Sequence, residues 1–129
     1  MKKLYLLAAL FALFQTTPAL ADHLVESYVA RLGHSDHYNS YGEPLSSVAA
    51  IIRQDRANYH VFGRSDREDE GDNYFASKHN RAILETILRN SRLSRPVLSE
   101  IVNGEPLVKI TIWSEGYGDD YIDVRVIRD

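Results

Sequence analysis

Cysteine is absent from all 129 residues. That excludes disulfides, a zinc–thiolate site and a thiol nucleophile. It also excludes a lipid anchor built on a cysteine behind a leader. Basic residues are outnumbered, 15 to 18, for a formal net charge of −3. A net negative chain suits neither nucleic acid nor an anionic membrane surface, and no nucleic-acid partner is expected. Catalytic signatures are missing too. There is no G-x-S-x-G, HEXXH, P-loop or G-x-G-x-x-G. Serines are plentiful, yet none stands in a nucleophile context. The Leu4–Phe14 apolar run has 11 residues, well short of the ~20 that a membrane-spanning helix needs.

That short run reads instead as the middle of a leader. Lys2 and Lys3 precede it, a polar break covers Gln15 to Pro18, and the small-x-small triplet Ala19-Leu20-Ala21 follows. This order predicts a secretory signal peptide, residues 1–21, cleaved after Ala21, with export to the periplasm or beyond. Residues 22–129 are then one domain of 108 residues, without a membrane span. Without Lys2 and Lys3 that domain has 13 basic residues, 11 of them arginine, against 18 acids, a formal charge of −5. An exported domain with no disulfide must be held together by packing alone.

Periodicity outlines the fold. "LVESYVARL", 24–32, suits a helix or a strand, since its apolar residues fit both spacings. Two valines, a tyrosine and the following Gly33 favour the strand. "SSVAAIIRQDRANYHVF", 46–62, predicts a helix: a serine can cap it, Val48, Ile51, Ile52, Tyr59 and Phe62 form an apolar stripe, and Gly63 stops it. A second helix is predicted over "SKHNRAILETILRNSR", 77–92, burying Ile83, Leu84, Ile87 and Leu88. "SRPVLSEIVNG", 94–104, reads as a short third helix with Pro96 in its first turn, the alternative being an irregular loop. "PLVKITIW" and "YIDVRVIR" alternate apolar and mixed residues around the turn "SEGYGDD", which predicts a hairpin. The expected class is α+β, order β-α-α-α-β-β. The C-terminal hairpin and the N-terminal strand form a small antiparallel sheet on two or three helices.

Candidate sites sit mostly between these elements. "GHSDHYNSYG", 33–42, sets His34, Asp36, His37, Tyr38, Asn39 and Tyr41 between two glycines. Histidines spaced H-x-x-H can share a divalent metal, work as acid or base, or contact a ligand. The competing reading is a plain turn, because Asp, Asn, Ser and Gly bond local backbone. "DREDEGDNYFAS", 66–77, matches the first half of a calcium loop through Asp66, Glu68, Glu70 and the glycine at the sixth position, with Asp72 beside them. Ser77 stands where a bidentate glutamate belongs, so a solvated acidic loop that neutralises arginines competes with weak calcium binding. In the first helix, Asp55 lies on the apolar stripe and calls for a partner such as Arg31 or Arg81. Arg53, Arg56 and His60 form an adjoining basic stripe that can bind an anion or pair with the 66–72 acids. Tyr38, Tyr41, Tyr74, Trp113 and Tyr117 lie in or beside loops, where rings either face a glycan or peptide or close the ends of the core.

These features favour an exported, non-catalytic binding protein whose contact surface centres on 34–41 and the Tyr117 turn. Its partner would be a periplasmic protein, peptide, glycan or small ligand, and no cofactor is expected. A small hydrolase or metal-dependent enzyme is the alternative, with His37 or His60 as base and Asp36 or Asp55 orienting it. A calcium-stabilised module is the third reading.

Overall fold

The computed structural model describes residues 21–116 and 118–128. The expected leader therefore lies almost wholly outside the described residues, as does Tyr117. The chain is α+β. Strand β1 (His23–Arg31) is followed by a 3₁₀ turn (His34–His37), helices α1 (Val48–His60), α2 (Lys78–Ala82), α3 (Leu84–Arg89) and α4 (Arg95–Asn103), then strands β2 (Leu107–Ser114) and β3 (Asp120–Val126). The helical insertion separates β1 from the strand it pairs with. The sheet order is β1-β2-β3, antiparallel throughout, with Tyr28 opposite Ile110 and Ile110 opposite Val124.

Strand alternation decides which face is buried. Tyr28 and Ala30, Val108, Ile110 and Ile112, and Ile122 and Val124 point inward. They meet Ile51 and Ile52 of α1, Leu84 and Ile87 of α3, Ile101 of α4, and Phe75. Lys109, Thr111, Asp123 and Arg125 lie on the opposite face. Each fully buried isoleucine or leucine contributes roughly 1.5–3 kcal/mol, and no disulfide assists. Among the described residues, no helix is long and apolar enough to cross a membrane.

Helix α1 begins where expected, with the Ser47 hydroxyl accepting the amide of Ala50 at 3.1 Å. Ser94 caps α4 in the same way, with Pro96 in the first turn. The predicted 77–92 helix breaks instead at Ile83, whose φ of −92° and ψ of 11° leave the helical region. The break lets Leu84 and Ile87 face the sheet, while Arg81 turns back to donate to the carbonyls of Phe75 and Ala76. Ile83 and Leu88 end only partly buried, so the insertion holds four short helices rather than three.

The acidic loop runs along the outer edge of β1. Val29 donates its amide to Glu70 Oε1 and accepts from the amide of Glu70, both at 2.8 Å. The amide of Arg31 donates to Asp69 Oδ1 at 2.8 Å, and the Glu26 carboxylate accepts from the amides of Asn73 and Tyr74. An edge strand presents unpaired backbone groups that must find partners. Here carboxylates supply acceptors where a fourth strand would have supplied carbonyls.

Candidate functional site

Two segments meet beside the C-terminal half of α1. The first is the 33–42 loop. Asp36 closes its 3₁₀ turn by accepting the amide of Gly33 at 2.9 Å through Oδ2. Its other oxygen accepts from Asn58 Nδ2 at 2.9 Å, which ties the loop to α1. Burial pushes the Asp36 carboxyl up to about 6, partly opposed by these two bonds. Asn39 shapes the tip, its side chain accepting the amides of Tyr41 and Glu43, and Gly42 takes a left-handed φ of 76°. The second segment is the end of α1. Gly63, at φ 64°, turns the chain back so that the amide of Arg64 reaches the carbonyl of Asn58 at 2.8 Å.

Between these segments lies a cleft of about 470 Å³. His34, Ser35, Tyr38, Asn39, Ser40 and Gly42 form one wall, and Gln54, Asn58, Phe62 and Arg64 form the other. The His34 and Tyr38 rings sit 4.9 Å apart, tilted by 49°. Six large apolar side chains are exposed among the described residues, and four of them, Tyr38, Tyr41, Val61 and Phe62, belong to these two segments. Isolated exposed apolar residues are unremarkable, whereas here four of them are grouped on two adjoining segments. The Gln54 amide nitrogen donates to Asn58. Arg64 makes no ion pair among the described residues.

The predicted H-x-x-H pair is split by this geometry. His34 faces the cleft, whereas His37 is fastened behind it. His37 Nδ1 lies 2.7 Å from the carbonyl of Gly33, and Nε2 lies 2.7 Å from the carbonyl of Ile101 in α4. A carbonyl only accepts, so each of these contacts draws on the ring as donor. His37 thus joins the loop to α4 and does not line the cleft.

The opposite side of α1 holds a buried ionic cluster. Arg56 is completely buried, not part of a solvent-facing stripe. Its Nε donates to Asp55 Oδ2 at 2.7 Å, and its Nη1 donates to Asp72 Oδ1 at 2.9 Å and to the carbonyl of Glu70 at 3.0 Å. The guanidinium carbon stands 4.2 Å from the Tyr28 ring centroid and 4.8 Å from that of Tyr59. The partner of Asp55 is its sequence neighbour. Arg31 instead pairs with Glu68, and Arg81 serves the α2 entry loop. Burial raises the Asp55 carboxyl to about 8, with Arg56 pulling the other way. His60 Nε2 meets Asp72 Oδ1 at 2.7 Å, and Asp72 Oδ2 accepts the amide of Phe75. Arg53 donates to the carbonyl of Arg81. The basic stripe therefore disperses: Arg53 turns to Arg81, while Arg56 and His60 share Asp72 and Arg56 also holds Asp55 and the carbonyl of Glu70.

The acids of the calcium-loop match diverge as well. Asp66 closes the loop by accepting Asp69's amide at its carbonyl, Glu68 pairs with Arg31, Glu70 bonds β1, and Asp72 belongs to the buried cluster. Among the described residues no three His, Asp or Glu side chains converge as a metal set would. Tyr74 and Trp113 pack at the sheet: Tyr74 donates to Asp120, and Trp113 stands opposite Leu24 and Tyr121. Gln54, Phe62 and Arg64 are cleft residues that sequence reasoning missed as a site. The signal was Gly63, whose left-handed turn returns the chain toward α1. No family model, curated protein or solved structure matches the chain.

Proposed function

We propose that the protein is an exported, non-catalytic binding protein that captures a small ligand between the 34–42 loop and the end of α1. The observation that carries this reading is the cleft: its volume falls within the roughly 300–1,000 Å³ of small-molecule sites, and aromatic and polar side chains line both walls. The loop is held from behind by Asp36, Asn58 and His37, so its cleft-facing groups are positioned before a ligand arrives. A fragment screen followed by two-dimensional NMR tests it. Hits should shift the amides of 34–42 and 54–64, and Tyr38→Ala with Gln54→Ala should abolish those shifts while the rest of the spectrum is retained. Hits confined to other surfaces refute the reading.

A second reading rests on the His60–Asp72 pair, the arrangement a small hydrolase uses to orient a base. His60 lies apart from the cleft lining, and its carboxylate is shared with Arg56. Hydrolysis of generic ester substrates that is lost in His60→Gln would favour it over binding.

A further inference from the structure

We infer that the ligand of this cleft is an acidic monosaccharide: a hydroxylated ring bearing one carboxylate, with Arg64 taking the charge. The inference rests on the binding reading above and names the chemistry of that same site. Three observations converge on it.

The first is charge. The chain has 18 acidic residues, yet none lines the cleft, whereas Arg64 does. Arg64 is exposed, and no carboxylate of the described residues pairs with it. Arg31, Arg56, Arg89 and Arg128 each hold an acid, and of the arginines without an ion pair among the described residues Arg64 is the one that lines this cleft. A planar guanidinium without an internal partner, in a cleft free of acids, fits a carboxylate through two parallel hydrogen bonds.

The second is the pattern of polar groups. Ser35, Ser40, Tyr38 and His34 bring hydroxyl and imidazole groups to the loop wall, and Gln54 brings an amide to the facing wall. Gln54 uses its nitrogen on Asn58, which leaves the carbonyl end as an acceptor. Mixed donors and acceptors spread over two walls match several ring hydroxyls, each of which both donates and accepts. A bare aromatic acid would leave them without partners, at a desolvation penalty.

The third is the presence of flat apolar faces. Tyr38 and Phe62 are 37% and 53% exposed and stand on opposite walls. Rings of this kind pack against the C–H face of a pyranose while their rims leave the hydroxyls free. The cleft suits one ring of this type, and no transfer or bond-breaking step is invoked.

Titration of labelled protein with D-glucuronate, D-glucose and benzoate tests the inference, in wild type and in Arg64→Gln. Arg64 has no ion pair to lose, so this variant should fold as wild type does. D-glucuronate should shift the amides of 34–42 and 62–64 with an affinity about tenfold above that of D-glucose, the scale of one charge-assisted contact. Arg64→Gln should erase that advantage, and 0.5 M salt should weaken D-glucuronate alone. D-glucuronate binding no better than D-glucose, an advantage that persists in Arg64→Gln, or benzoate binding above both sugars each overturns the inference. D-glucose shifting the cleft as strongly as D-glucuronate would leave the binding reading standing while the acidic-sugar assignment falls.

Discussion

Replacing Arg56 with methionine tests how the interior is held. The guanidinium has no solvent exposure and serves Asp55, Asp72 and the carbonyl of Glu70. Methionine keeps much of the volume between the Tyr28 and Tyr59 rings but removes every donor. Asp72 retains His60 and the amide of Phe75. Asp55 retains nothing, because its Oδ1 already has no protein partner. Stranding one member of a buried ion pair costs about 3–5 kcal/mol. A domain of this size has a total stability of roughly 5–15 kcal/mol. The loss should therefore lower the melting temperature by roughly 10–25 °C. Urea unfolding followed through Trp113 fluorescence and far-ultraviolet circular dichroism measures it. Adding Asp55→Leu should recover at least half of the loss, since the stranded acid is then gone. The loss also has a pH dependence: burial raises the Asp55 carboxyl to about 8, so the cost of stranding it is full above that pH, where it is ionised, and shrinks as it protonates below. Arg56→Met within about 1 kcal/mol of wild type, or a double variant no better than the single, would refute the reasoning.

Other outcomes follow from single contacts. Gly63→Ala places a Cβ at φ 64° with no neighbour within 4 Å, so the penalty is purely conformational, about 1–2 kcal/mol, read from the urea midpoint. Asp36 is raised to about 6 by burial, so wild type should lose about 2–3 kcal/mol between pH 4 and 6, and Asp36→Asn should flatten that slope in the same assay. His37→Ala should speed amide exchange in residues 33–38, because the ring ties the carbonyl of Gly33 to that of Ile101.

The hairpin and α1 were legible because their signals are local. Val108, Ile110 and Ile112 alternate at period two, and Ser47 with Ile51 and Ile52 outlines a capped helix. The 77–92 pattern misled because Ile83, Leu84, Ile87 and Leu88 suit one continuous helix, while the sheet accepts only Leu84 and Ile87. Arg56 was misread for a related reason. Spacing shows which residues share a face, but not how far the core reaches around the helix. Residues i and i+1 do not face one another on a helix, so the spacing gave no sign that Arg56 Nε would bond Asp55. The cleft was half visible: the 34–41 loop stood out by composition, whereas Gln54, Phe62 and Arg64 join it only once the chain turns at Gly63.

The carboxylates along β1 have a consequence for behaviour in concentrated solution. The outer edge of β1 is covered by one loop, in which Glu70 and Asp69 accept the amides of Val29 and Arg31 while the amide of Glu70 bonds Val29. Removing those acceptors together, as in Asp69→Ala with Glu70→Ala, should bare part of a nine-residue template for strand exchange between molecules. Oligomers joined through β1 are therefore the expected mode of self-association once this loop is displaced.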